Sequence, residues 1–309
     1  MQPTALLVTV TGRDRPGVTA VIFAALAAHD VDVRDVVQTT NGDRAQLAIL
    51  IDLQGDAATL RHSVASTAKA FGVDSQVIAA GQDAHVVHSA RRPRSRPGRS
   101  RAFAVGTRLR AGALGDVAKR VADVGGNIES MWQSSDDTFT GVEMSLDGDT
   151  ARLRPTLIAS AGDTGLDVAV GPPGARPRGR RLLVLDADAV LPSTRLSPRV
   201  GTFVRAAHRV GCSVAAVARG PSADRLAGLG LDDIVPLHDV EETLRALAAE
   251  QDVPVLRVVA VGDAADHSRL LAGAGTAIAV DGNAARRAAA DTSGASGYLD
   301  SVLYVLGRM

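Results

Sequence analysis

The acids in the last third of the chain have the type and spacing to hold a divalent cation. Leu185-Asp186-Ala187-Asp188-Ala189-Val190 closes one apolar run, and Val261-Gly262-Asp263-Ala264-Ala265-Asp266-His267 closes another. Side chains alternate along a strand, so Asp186 and Asp188 share a face at its C-terminal end. If both runs are strands of one parallel sheet, Asp186, Asp188 and Asp263 converge at a single edge. Three carboxylates there suit a hard ion such as Mg²⁺, which takes carboxylate and phosphate oxygens. A lone Asp at a strand end can equally cap a helix, and the Asp-x-Asp pair by itself discriminates little. The pair combined with Gly-Asp on a later strand of the same sheet is far more specific.

The elements that must position these acids are legible from the pattern of residues 182–309. Leu182 to Leu185, Ser213 to Ala218, Asp233 to Pro236, Val258 to Val261 and Thr276 to Val280 are short apolar runs separated by helical stretches. Ser197 followed by Pro198 starts a helix whose buried face is Val200, Phe203, Val204 and Ala207, and Gly211 ends it. Asp239 with Glu242 makes a capping box for a later helix. Strands alternating with helices imply a doubly wound, Rossmann-like parallel sheet, whose ligands bind at the carboxyl ends of the strands.

The first 170 residues repeat themselves at an offset of 95. Arg15 matches Arg110, Gly17 matches Gly112, Val33 matches Ile128, and Gln38 matches Gln133. In the first copy, Leu6 to Val10, Val31 to Thr39, Ala45 to Leu53 and Val73 to Ile78 read as strands. Val18, Val21, Ile22, Ala25 and Leu26 form one helical face, and Ala57 to Phe71 a second helix. The order βαββαβ is the ferredoxin-like arrangement. The expected organisation is therefore a module at 1–87, a linker at 88–101, a second module at 102–170, a linker at 171–181 and an α/β domain at 182–309.

Both linkers, Ser89 to Arg101 and Gly171 to Arg181, are rich in Arg, Pro and Gly and nearly devoid of apolar residues. They read either as basic patches for an anionic partner or as solvated connections. No aromatic residue is interleaved for base stacking, which favours connections. With 34 basic and 34 acidic residues the chain has no net field to draw it to nucleic acid or membrane, and neither is an expected partner. No apolar run approaches a membrane span and no leader pattern opens the chain, so a soluble, cytoplasmic protein is expected. Cys212 is the one cysteine and sits in an apolar stretch, where an inert buried thiol is expected. His29, His62, His85, His88, His208 and His238 show no metal-ligand spacing with a Cys.

Beyond spacing, the sequence resembles the haloacid-dehalogenase-like phosphatases, and within them the phosphoserine phosphatases that carry N-terminal ACT modules. The resemblance rests on Gly12-Arg13-Asp14-Arg15-Pro16-Gly17-Val18, on Val258-Val259-Ala260-Val261-Gly262-Asp263, and on the tail Tyr298-Leu299-Asp300-Ser301-Val302-Leu303-Tyr304-Val305-Leu306-Gly307. It implies that Asp186 stands where the family's nucleophile attacks phosphorus. Asp188 stands where a general acid protonates the leaving seryl oxygen, and Asp186, Asp188 and Asp263 stand at Mg²⁺-ligand positions.

The same resemblance exposes departures. The family's phosphate-binding Ser or Thr falls at Ala218, and its lysine near Val240. Asp266 and His267 replace an Asn-Asp pair. The helical cap that normally follows the first motif is absent, since only Ala189 to Gly211 separate the first two strands. Arg219 is one residue that could restore charge. Losing one donor to a developing charge costs roughly 100- to 1,000-fold in rate. An impaired phosphatase-like domain is the expectation, with an active Mg²⁺-dependent hydrolase of O-phospho-L-serine as the alternative.

For the modules, the resemblance implies that a small amino acid, L-serine foremost, binds near the turn from first strand to first helix. Gly17 and Val18 open a helix N-terminus suited to a ligand carboxylate, and Asp14 or Asp32 can receive its ammonium. Pro16-Gly17 can instead be only a tight turn and Asp14 only a cap. Gly112 is the second copy's counterpart of Gly17. That copy has Leu109 and Ala111 in place of Asp14 and Pro16, so one working site per pair of modules is expected. ACT modules complete their sheets by pairing, which implies a homodimer.

Overall fold

The computed structural model describes residues 3–81, 84, 86, 99–106, 108–135, 139–172, 179–187, 198–218, 226, 228–236, 239–263, 268–280 and 297–308. Two compact units result, Met1–Ser160 and Ala161–Met309, and they divide upstream of the 171–181 stretch. No described helix is long and apolar enough to cross a membrane.

In the first unit, β1 (Thr4–Arg13), α1 (Val18–Ala27), β2 (Val31–Asn41), β3 (Arg44–Leu53), α2 (Ala57–Ala70) and β4 (Val73–Ala79) follow in βαββαβ order. Their sheet runs β2-β3-β1-β4 with antiparallel neighbours. The alternation of β1 buries Leu6, Val8 and Val10 against α1, which supplies Ile22, Phe23 and Leu26. Asp56 caps α2 by accepting from Ala58 N at 3.1 Å and Thr59 N at 2.8 Å.

The second copy supplies β5 (Ser100–Gly106), β6 (Leu109–Arg110), α3 (Ala111–Asp123), β7 (Asn127–Ser135), β8 (Thr140–Asp147), α4 (Thr150–Thr164) and β9 (Asp167–Gly171). Within the first unit β8 lies between β5 and β7. The copies join side by side, because β2 pairs antiparallel with β7 at Val37↔Trp132, Gln38↔Met131 and Thr39↔Ser130. On the helical layer α3 lies against α1. A Cβ on Gly115 would stand 3.3 Å from Phe23 Cβ and 3.5 Å from Ala24 N, so glycine lets the two helices approach closely here. Two strand edges that the sequence left open are thus closed by each other.

The second unit contains β10 (Arg181–Asp186), α5 (Pro198–Arg209), β11 (Cys212–Ala218), β12 (Asp233–Pro236), α6 (Val240–Glu250), β13 (Val258–Asp263), α7 (Ser268–Gly273), β14 (Thr276–Val280) and α8 (Gly297–Arg308). The sheet order is β12-β11-β10-β13-β14-β9. The first five strands are parallel and β9 joins β14 antiparallel. The expected face of α5 is buried, each large apolar side chain contributing about 1.5–3 kcal/mol. β9 covers β14, which is buried along its whole length and would otherwise leave an apolar edge bare. The tail helix α8 is tied to β9 by a buried hydrogen bond from Ser301 Oγ to the Asp167 carboxylate. Arg181 Nη1 adds a bond to Leu306 O at 3.1 Å.

Candidate functional site

Asp186 ends β10 and Asp263 ends β13, neighbouring parallel strands in register at Leu185↔Val261. The sheet continues from β10 to β11 and β12 on one side, and from β13 to β14 on the other. The gap between β10 and β13 is therefore the switch point, where the strands' carboxyl ends open a ligand crevice. Both acids are buried there, Asp186 at 1% and Asp263 at 4% exposure. Carboxylates out of water need donors or a cation beside them. Carboxylate oxygens are hard donors of the kind Mg²⁺ takes.

Asp188, Val190, Arg219, Asp266 and His267 lie outside the described residues. Among the described residues no three His, Cys, Asp or Glu side chains cluster to hold a metal. Ala218 is the last residue of β11, one step beyond the Asp186↔Val217 pair, and presents only a methyl group. Val240 is the first residue of α6, whose N-terminal N–H groups on Glu241 and Glu242 are taken by Asp239 Oδ1 at 3.0 Å each. Residues 187–211 connect β10 to β11, and α5 is the helix described in that stretch.

In the first unit, Gly17 is the N-cap of α1 at φ 92°, a left-handed conformation that a Cβ makes costly. No side chain caps α1 and no acid lies in its first turn; Val18 N donates to Arg15 O at 3.4 Å, and the start of the helix otherwise presents N–H groups suited to an anion. Val18 is buried beneath this turn. Asp14, at the mouth, accepts from Asn127 Nδ2 at 2.8 Å, a bond from one copy to the other. Burial holds the Asp14 carboxyl above its ordinary pKa. The hydrogen bond from Asn127 and the nearby Thr40 hydroxyl work against this, while Glu129 and Asp147 add to it. Those two acids are bridged by Arg99, at 2.7 Å and 2.6 Å.

Asp32 does not join Asp14. It lies beyond the far end of α1, roughly 15 Å along a ten-residue helix, at the place the internal repeat relates to the Asp14 turn. There β6 pairs with β2 through Asp32↔Arg110 and Val33↔Leu109, and Arg108 forms an ion pair with Asp32. Gly112 is not a turn residue: it sits inside α3, where a Cβ would be 3.7 Å from Ala27 Cβ. A cavity of about 240 Å³ opens here, lined by Asp32, Arg34, Arg108, Leu109, Gln133 and Thr140. The sequence reading overlooked Arg34, Arg108, Gln133 and Asn127. Carrying Arg13 and Asp32 across the 95-residue offset would have reached Arg108 and Asn127.

Comparison with known proteins matches two ACT domain models, at residues 4–77 and 101–171. The phosphoserine phosphatase of Streptomyces coelicolor is 28% identical, covering 98% of this chain and 92% of that protein. Phosphoserine phosphatase SerB2 of Mycobacterium tuberculosis is also 28% identical, covering 98% and 93%. A solved structure of a probable phosphoserine phosphatase from Vibrio cholerae has 17% identity, covers 58% of this chain and 76% of its own, and has a TM-score of 0.31. The Streptomyces alignment runs over 387 positions against 309 residues here, so at least 78 positions of that relative have no counterpart.

Proposed function

From a chain that has two tandem ACT domains and is homologous over 98% of its length to phosphoserine phosphatases, we propose a cytoplasmic amino-acid sensor of serine metabolism. Its phosphatase-like domain is catalytically impaired. The observation that carries this reading is the missing length. At 387 aligned positions against 309 residues, at least 78 positions of the Streptomyces relative have no counterpart here; we place part of that difference in the 187–211 connection, where a substrate-covering cap would stand. An open site keeps water around the phosphoryl group and weakens each electrostatic contact. Ala218 compounds the loss by offering no hydrogen bond.

Asp186, Asp188 and Asp263 would hold Mg²⁺, which when bound neutralises phosphoryl charge. In the hydrolytic chemistry of the family, Asp186 is the residue placed to attack phosphorus and Asp188 the residue placed to move the proton of the leaving oxygen. The burial of Asp186 and Asp263 at the switch point favours the second reading, a surviving Mg²⁺-dependent phosphoserine phosphatase. Turnover of O-phosphoserine by the purified chain, against an Asp186→Asn control, separates the two.

In the ACT pair, L-serine or a similar amino acid binds with its carboxylate at the uncapped start of α1 and its ammonium at Asp14. The cavity at Asp32 favours a second place, with Asp32 for the ammonium and Arg34 or Arg108 for the carboxylate. Two copies of the chain form a homodimer, for which β4 supplies the remaining edge strand of the first module.

A further inference from the structure

The opposite edge of the second unit's sheet carries a different kind of site. Gly179 and Arg180 precede β10, His208 to Gly211 precede β11, Asp232 precedes β12, and Val255 to Arg257 precede β13. Parallel strands bring all four approaches to one edge. An open groove of about 560 Å³ lies among Gly179, Arg180, His208, Gly211, Cys212 and Asp232. The Arg257 guanidinium lies against Gly179, one of the groove's lining residues: a Cβ there would stand 2.5 Å from Arg257 Nη1.

The acid of the groove is already engaged. Asp232 Oδ2 accepts from Val214 N at 2.7 Å and lies 2.9 Å from His208 Nε2. Among the described residues no carboxylate pairs with Arg180 or Arg257. Arg180 lines the groove and the Arg257 guanidinium lies beside Gly179, while the groove's one lining carboxylate, Asp232, is held by His208 and Val214 N. Planar guanidinium forks match carboxylate and phosphoryl oxygens. Apolar side chains stand next to these groups in the chain, between His208 and Gly211 and before Arg257: Val210 is 52% and Leu256 58% exposed.

We propose that this groove binds a small organic dianion, a phosphoryl or dicarboxylate compound with an apolar body, at a site separate from the strand-end acids. Arg180 and Arg257 hold the charged group, and Val210 and Leu256 border the rest. Gly179 is required because any side chain there displaces Arg257.

Calorimetry on the full chain tests this with inorganic phosphate and with succinate as probes, in the intact protein and in Arg257→Ala, Arg180→Ala and Asp186→Asn. The expected result is binding that weakens about tenfold or more in each arginine variant, from loss of a charge-assisted hydrogen bond, and is unchanged in Asp186→Asn. The tighter of the two probes identifies the anionic group. Binding lost in Asp186→Asn but kept in both arginine variants would place the anion at the strand ends and overturn the proposal. No heat from either probe at millimolar concentration would overturn it as well.

Discussion

Val37 and Trp132 face each other across the β2–β7 pair, and they stand 95 residues apart, the offset of the internal repeat. In an antiparallel pair of equivalent strands, a residue meets its own counterpart only on the two-fold axis. The pseudo-dyad of the ACT pair therefore passes between these two residues. The glutamines next to them follow it approximately: Gln38 Nε2 donates to Ile128 O, and Gln133 Nε2 donates to Arg34 O, one residue past the counterpart of Ile128, each crossing to the other copy.

Gln38 is the stronger of these two ties. It is 3% exposed and also accepts from Thr19 Oγ1 at 2.7 Å, whereas Gln133 is half-buried. Gln38→Ala leaves a buried hydroxyl and a buried carbonyl without their partner. It should cost about 1–3 kcal/mol in urea unfolding, and Gln133→Ala should cost less.

The repeat was readable in the sequence because Gln38 and Gln133, one step from the dyad, are identical, as are Arg15 and Arg110 and Gly17 and Gly112; the strands of the parallel sheet were readable because their apolar runs are short and sharply bounded. The joining of the modules was not readable, since β-pairing between copies leaves no local pattern. Nor was β6. Leu109 and Arg110 look like a loop until Asp32 and Val33 supply a partner strand. The assignment of β9 to the second unit depends on β14 and on Asp167 meeting Ser301, 134 residues on. Asp14 and Asp32 look equivalent as spare acids, and only the fold places them at opposite ends of α1.

Gly17→Val should abolish serine binding while the chain stays folded. The left-handed backbone at φ 92° costs a β-branched residue about 1–2 kcal/mol, and its Cβ would stand 3.4 Å from Phe71 Cζ. Calorimetric titration with L-serine checks this. Retained binding in Gly17→Val, with loss in Asp32→Ala, would move the ligand to the Asp32 cavity.

Asp14 should make the unliganded ACT pair pH-sensitive. Its carboxyl pKa lies above the ordinary 3.8 in the fold, chiefly through burial, so the folded chain holds this proton more tightly than the unfolded chain. The protonated carboxyl favours folding in acid, and that contribution disappears as pH rises from 3.8 through the raised folded value. Asp14→Asn keeps an acceptor for Asn127 and removes the charge. It should raise the melting temperature at pH 7, make no difference well below pH 3.8, and weaken serine binding.

Mg²⁺ should raise the melting temperature of the intact protein and have no effect on Asp263→Ala. Scanning calorimetry with and without Mg²⁺ checks both statements.

The central claim is that the homology to phosphoserine phosphatases persists here without efficient catalysis. Its most direct test is phosphate release from O-phospho-L-serine by the full chain in saturating Mg²⁺, measured beside Asp186→Asn. On the proposed reading, with a methyl group at Ala218 and no covering cap, turnover should be slow or undetectable, and barely distinct from the variant. Brisk release that disappears in Asp186→Asn would contradict the account and make the chain a working phosphatase with an open site.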